Sequence, residues 1–98
     1  IVYLERVSAM PNQGVSSTFR FGQGYGQLEM GIEAAGLPLN YVSPAVWKKH
    51  FGLTKNKGES REKAASLFPK YADLFKRVKD DGRAESALIA EYGFRKEY

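Results

Sequence analysis

The sequence predicts one small α/β domain, mostly helical, with two short strands. Three observations carry this reading. The chain has 98 residues, enough for a single core. Two short apolar segments, Val2-Tyr3-Leu4 and Leu39-Asn40-Tyr41-Val42, have strand character and flank a stripe of helical period. Beyond residue 43 the apolar residues recur only at helical spacing.

Val2-Tyr3-Leu4 is β-branched and aromatic, ends on Glu5 and runs into Arg6-Val7, so it reads as a buried strand. No leading methionine, loop or cap precedes it, and the chain is therefore expected to be a fragment whose upstream elements are missing. Met10-Pro11-Asn12-Gln13-Gly14 has turn chemistry, and Ser16-Ser17-Thr18 offers helix N-caps. A helix should follow. Phe21, Tyr25, Leu28, Ile32 and Ala35 form its apolar stripe, which ends at Gly36 with Pro38 beyond.

Gly22, Gly24, Gly26 and Gly31 lie within that helix, each costing about 0.5–1 kcal/mol against alanine. Gly22 and Gly26 sit one turn apart and would admit a close partner backbone, either another helix or a sheet; alternatively Gly22–Gly26 is loop.

Leu39–Val42 is the second strand, and Ser43-Pro44 opens a short helix through His50, closed by Phe51-Gly52-Leu53. Thr54-Lys55-Asn56-Lys57-Gly58 reads as a basic loop. A helix is expected from Glu59 to Phe68, stopped by Pro69, with another turn or two between Tyr71 and Val78. Asp80-Asp81-Gly82 then opens a last helix in which Ala84, Ala87, Leu88 and Tyr92 recur every three to four residues.

Composition narrows the chemistry. There is no cysteine and one histidine, His50, so a disulfide framework, Cys-ligated metal sites and paired-His motifs are all excluded. Any metal must sit on carboxylates. No apolar run approaches a membrane span, and no basic leader opens the chain, so a soluble intracellular protein is expected. The net charge of +4 is concentrated: residues 48–63 carry six basic and two acidic side chains, whereas residues 1–47 sum to −1. Such a block suits phosphate contact, and equally a solvated face.

Three acids stand out. Glu5 ends an apolar strand, where a carboxylate is costly unless paired or bound to a cation. Asp81 and Glu85 are four apart and share a helix face, a repulsive arrangement that a divalent cation relieves. Asp81 also suits a helix N-terminus without any ligand. His50 reads as a helix end rather than a base. Gly22-Gln23-Gly24-Tyr25-Gly26 lacks the preceding strand and the Gly-Lys-Ser/Thr ending of a phosphate loop.

In order and spacing these segments resemble the RuvC-like Holliday-junction resolvases of the ribonuclease H-like superfamily. The carrying segments are Val2–Val7, Phe21–Gly26, Leu39–Lys49, Arg61–Ala64 with Leu67-Phe68-Pro69, and Asp81–Ala90. The resemblance implies a ribonuclease H-like fold lacking its N-terminal strands, with residues 1–98 as the C-terminal portion of the nuclease domain. It also implies a bacterial or phage enzyme of the cytoplasm, binding four-way DNA junctions as a homodimer and hydrolysing phosphodiesters with Mg²⁺ or Mn²⁺. Glu5, Asp81 and Glu85 would then be catalytic metal ligands, and Arg6, Arg20, Lys48, Lys49, Lys57 and Arg61 would face DNA. The family's founding aspartate belongs to a strand upstream of Ile1, so the 98-residue chain alone is expected to be inactive. A non-catalytic DNA-binding module of the same fold, or a small helical protein-interaction domain, are the alternatives.

Overall fold

In the computed structural model, which describes residues 1–7 and 14–98 with the Lys57 side chain set aside, the chain opens on strand β1, Val2–Glu5. Helix α1, Val15–Ala34, carries it across to strand β2, Leu39–Val42, which lies parallel to β1 in the register Val2↔Leu39 to Glu5↔Val42. Backbone hydrogen bonds from Val2 to the Pro38 carbonyl and from Arg6 to the Val42 carbonyl, both 2.8 Å, extend the ladder at each end. Helices α2 (Pro44–His50) and α3 (Lys57–Leu67) follow, then 3-10 segments at Pro69–Phe75 and Val78–Asp80, and finally α4, Asp81–Glu97. The expected class, mostly helical with two short strands, is the one observed. The turn expected over Met10–Gln13 lies outside the described residues.

Two helix ends rest on glycines at positive φ. Gly36 (φ 72°) ends α1 and Gly52 (φ 67°) ends α2. In each, the glycine N–H and the next residue's N–H return to carbonyls of the last turn: Gly36 to Glu33 and Leu37 to Ile32, Gly52 to Lys49 and Leu53 to Lys48. That is a Schellman closure, and it needs the left-handed backbone that glycine adopts without penalty.

Two local expectations are corrected. Ser16, Ser17 and Thr18 do not cap α1: the cap is Gly14, the serines lie inside the helix, and the Thr18 hydroxyl donates to the Gly14 carbonyl at 2.9 Å. A hydroxyl that bonds four residues back is compatible with a helical turn, so capping residues need not mark the start. Gly22 to Gly26 are helical, as the apolar stripe expects, and the loop alternative is not taken. Helix α3 begins at Lys57 rather than Glu59, because the Asn56 side chain accepts the Gly58 N–H at 2.9 Å and caps it inside the supposed loop.

The core is not where the α1 stripe points. Trp47 and Leu88 are fully buried, packed with Val42, Phe51, Ala64, Phe75, Ala84, Ile89 and Tyr92. It therefore belongs to α2, α3 and α4 against β2. Of the α1 stripe, Ile32 is buried and Tyr25 half-buried, while Phe21 and Leu28 are exposed. The reason is size: 20 helical residues span roughly 30 Å, whereas four-residue strands offer about 13 Å of sheet. A second apolar line, Val15, Phe19 and Met30, is exposed on another side of α1 together with Gly22 and Gly26, beside which nothing packs among the described residues.

Helix α4 lies on β1 through one close contact. The Tyr3 ring sits against Gly93, stands edge-on to Tyr92 with centroids 6.2 Å apart, and its hydroxyl donates to Glu97 at 2.7 Å. That hydrogen bond to a carboxylate raises the Tyr3 phenol above its ordinary range.

Candidate functional site at the end of strand β1

Glu5 closes β1 half-buried, beside buried Val42 of β2. Two aromatic side chains fix it. The Trp47 indole N–H donates to Glu5 Oε2 at 2.7 Å, and the Tyr25 hydroxyl donates to the Glu5 backbone carbonyl, also at 2.7 Å. The first contact joins β1 to α2 and the second joins it to α1. Burial, then the nearby Glu29 carboxylate, raises the Tyr25 phenol above its ordinary range. Tyr41 on β2 donates to Glu29, which likewise raises its phenol, and the Arg6 guanidinium lies over the Tyr41 ring at 5.0 Å.

One cation of the basic helix end stands over the ring that binds Glu5. Lys48 places its ammonium 5.6 Å from the centroid of the Trp47 ring that binds Glu5. Lys49 is exposed beside it, and both fall in the last turn of α2, where positive charge offsets the helix dipole. Arg20 is exposed on α1. Arg61 is different. Its side chain is four-fifths buried and ion-paired with Asp81, so this cation of α3 is engaged by α4. Lys57 opens α3, and its side chain lies outside the described part.

Asp81 and Glu85 are half-buried one turn apart on the α4 face that continues into Leu88 and Tyr92. Asp81 is engaged with Arg61, while Glu85 makes no ion pair among the described residues. His50 ends α2 with its ring edge-on to Phe51 and Tyr92, at 4.8 and 5.3 Å, and Nε2 3.3 Å from the Arg95 guanidinium. It is an exposed helix end, as its position in the sequence suggests.

The acid that sequence reasoning passed over is Asp80, the most buried carboxylate, with 2% exposure. Arg77 binds it with its guanidinium (3.1 and 3.3 Å) and its backbone N–H (3.0 Å), and Arg83 stands 3.9 Å away. These donors hold its carboxyl below the ordinary range, the Arg77 side chain contributing most. The spacing Arg77, Asp80, Arg83, every third residue, is the signal that finds it. With its oxygens committed to arginines it braces the entry to α4 and is poorly placed to bind a ligand.

Fit to a divalent cation differs among the three predicted acids. Glu5 suits one: it is half-buried, has no cationic partner among the described residues, and has one oxygen fixed by a neutral donor. Glu85 is half-buried and without a cationic partner among the described residues, though no donor fixes its carboxylate there, and Asp81 is held by Arg61 and does not suit an ion. Among the described residues no three His, Asp or Glu side chains gather closely enough to share an ion, so Glu5, Asp81 and Glu85 do not converge as one cluster. None of the described helices is long and apolar enough to cross a membrane. No protein-family model matches the chain, and no curated protein matches it.

Proposed function

We propose that the chain is part of a metal-dependent, structure-selective DNA endonuclease with a ribonuclease H-like fold, acting on four-way junctions as the RuvC-like resolvases do. One observation carries the reading. A half-buried carboxylate at the carboxyl end of a parallel strand is bound by the indole on which the first cation of a basic helix end rests. Carboxyl ends of parallel strands are where α/β proteins place their chemistry, and an acid beside lysines suits a phosphodiester that must be both held and hydrolysed.

In this reading Glu5 would hold Mg²⁺ or Mn²⁺, oxygen-seeking ions that activate water and stabilise a leaving oxygen when bound, and Glu85 would be a separate ligand position on α4. Asp81 would be open to an ion only if Arg61 released it. Arg6, Lys48 and Lys49 bind the DNA backbone, with Arg20 and Lys57 extending the surface. The exposed α1 line of Val15, Phe19 and Met30, with its open glycines, pairs with a second copy and gives a two-fold enzyme for a two-fold junction.

The test is cleavage of a four-way junction in Mg²⁺ by the protein. We expect nicking that Glu5→Gln abolishes while junction affinity is kept. Undiminished cleavage by the Gln variant removes Glu5 from the site. A second reading, a DNA-binding module without nuclease activity, is favoured by the Arg61–Asp81 pair and the dispersed acids. It predicts salt-dependent junction binding with no cleavage under any divalent ion.

A further inference from the structure

We infer that Trp47 is a positioning residue for Glu5: its indole N–H fixes one carboxylate oxygen so that the other is presented to a divalent cation. The inference rests on the reading of Glu5 as a cation ligand and adds the group that orients it.

The geometry has three parts. Trp47 is wholly buried, so the indole has no freedom to swing away from Glu5 and no water competes for its N–H. Indole nitrogen donates and cannot accept, which makes the 2.7 Å contact to Oε2 one-directional. The Tyr25 hydroxyl fixes the Glu5 carbonyl at 2.7 Å, so the backbone from which the carboxylate hangs is pinned as well. With main chain and Oε2 both held, the remaining rotation that could misdirect Oε1 is suppressed. A ligating carboxylate hydrogen-bonded from behind is a common outer-shell arrangement, and its loss typically costs roughly 10–100-fold in metal affinity or activity.

A wholly buried indole N–H takes an acceptor, and here that acceptor is the acid at the end of β1. Lys48 stands over the same ring, its ammonium 5.6 Å from the centroid, so the indole that binds Glu5 also carries a cation suited to phosphate contact.

The chain has one tryptophan, so a single indole N–H resonance reports on Glu5. Mn²⁺ titrated into the protein, without DNA, is expected to broaden this resonance at the lowest metal concentrations, and Glu5→Gln to remove the effect. Trp47→Phe is expected to weaken Mn²⁺ binding, followed by electron paramagnetic resonance of the free ion, by about 10-fold or more. Should the Phe protein fail to fold, benzothienylalanine at position 47 keeps the bicyclic shape without the N–H, and the same loss is expected. Mn²⁺ that leaves the indole resonance unchanged, or equal affinity in the benzothienylalanine protein, overturns the inference. The nuclease reading fails separately: positioning stands if Mn²⁺ affinity depends on the Trp47 N–H yet junctions are not cut. If Glu5 is essential for cutting but affinity and rate survive removal of that N–H, positioning alone is wrong.

Discussion

Gly93 has no room for a methyl group because of Tyr3. A Cβ at position 93 would stand 2.7 Å from Tyr3 Cε1 and 2.8 Å from Cγ, well inside contact distance. The ring cannot easily yield, since Glu97 holds its hydroxyl and Tyr92 flanks it. Gly93→Ala should destabilise the fold by about 1–3 kcal/mol, the usual cost of overpacking, despite the better helix propensity of alanine. Urea denaturation measures it, and combining it with Tyr3→Ala should recover part of the loss, because the two changes act on one contact.

Asp80 should make stability depend on pH in the acid range. Its folded carboxyl lies below the ordinary value, so its stabilisation is complete above the unfolded carboxyl range and is lost as pH falls through the folded value. Asp80→Asn should therefore unfold at lower urea than wild type at neutral pH, with the gap closing towards pH 2. A gap independent of pH would mean that arginine pairing is not what holds Asp80.

The Arg61–Asp81 pair ties α3 to α4 with both side chains about 20% exposed. It lies between a surface ion pair and a buried one, so Arg61→Met should cost about 1–2 kcal/mol. In a double-mutant cycle with Asp81→Asn, the double variant should lose less than the sum. Strict additivity would count against the pair.

Lys48 and Lys49 should account for much of the salt dependence of junction binding. Replacing both with Gln should lower the slope of log affinity against log salt by about 0.9 per lost phosphate contact. Arg61→Met should change it less, since that guanidinium is engaged with Asp81. An unchanged slope in the Lys48→Gln/Lys49→Gln protein would remove α2 from the DNA surface.

Self-association should depend on the exposed line of α1. Phe19→Glu with Met30→Glu places charge on two residues that are 66% and 64% exposed, so the fold should survive while a dimer dissociates. Sedimentation velocity at micromolar concentration reads the result. A wild-type monomer would exclude the proposed pairing.

Local chemistry determined most of the elements. The apolar segments 2–4 and 39–42, Ser43-Pro44, and Pro69 all mark the boundaries at which the chain changes structure, because steric limits, strand propensity and proline's fixed φ act within a few residues. The candidate acids were legible for the same reason: Glu5 after an apolar run, and Asp81 and Glu85 at helical spacing, are visible in one dimension. What they touch was not. That Trp47 binds Glu5 across 42 residues, that Arg61 takes Asp81, and that Gly93 rather than the α1 glycines receives a close neighbour all depend on how the helices stack. The periodic stripe of α1 shows the limit most directly. Periodicity states which residues could be covered, whereas a sheet of two four-residue strands covers only Tyr25 and Ile32 of that stripe and leaves Phe21 and Leu28 to solvent. A sequence specifies faces through the helical repeat, but partners are decided by which surfaces are wide enough and near enough in space to bury them.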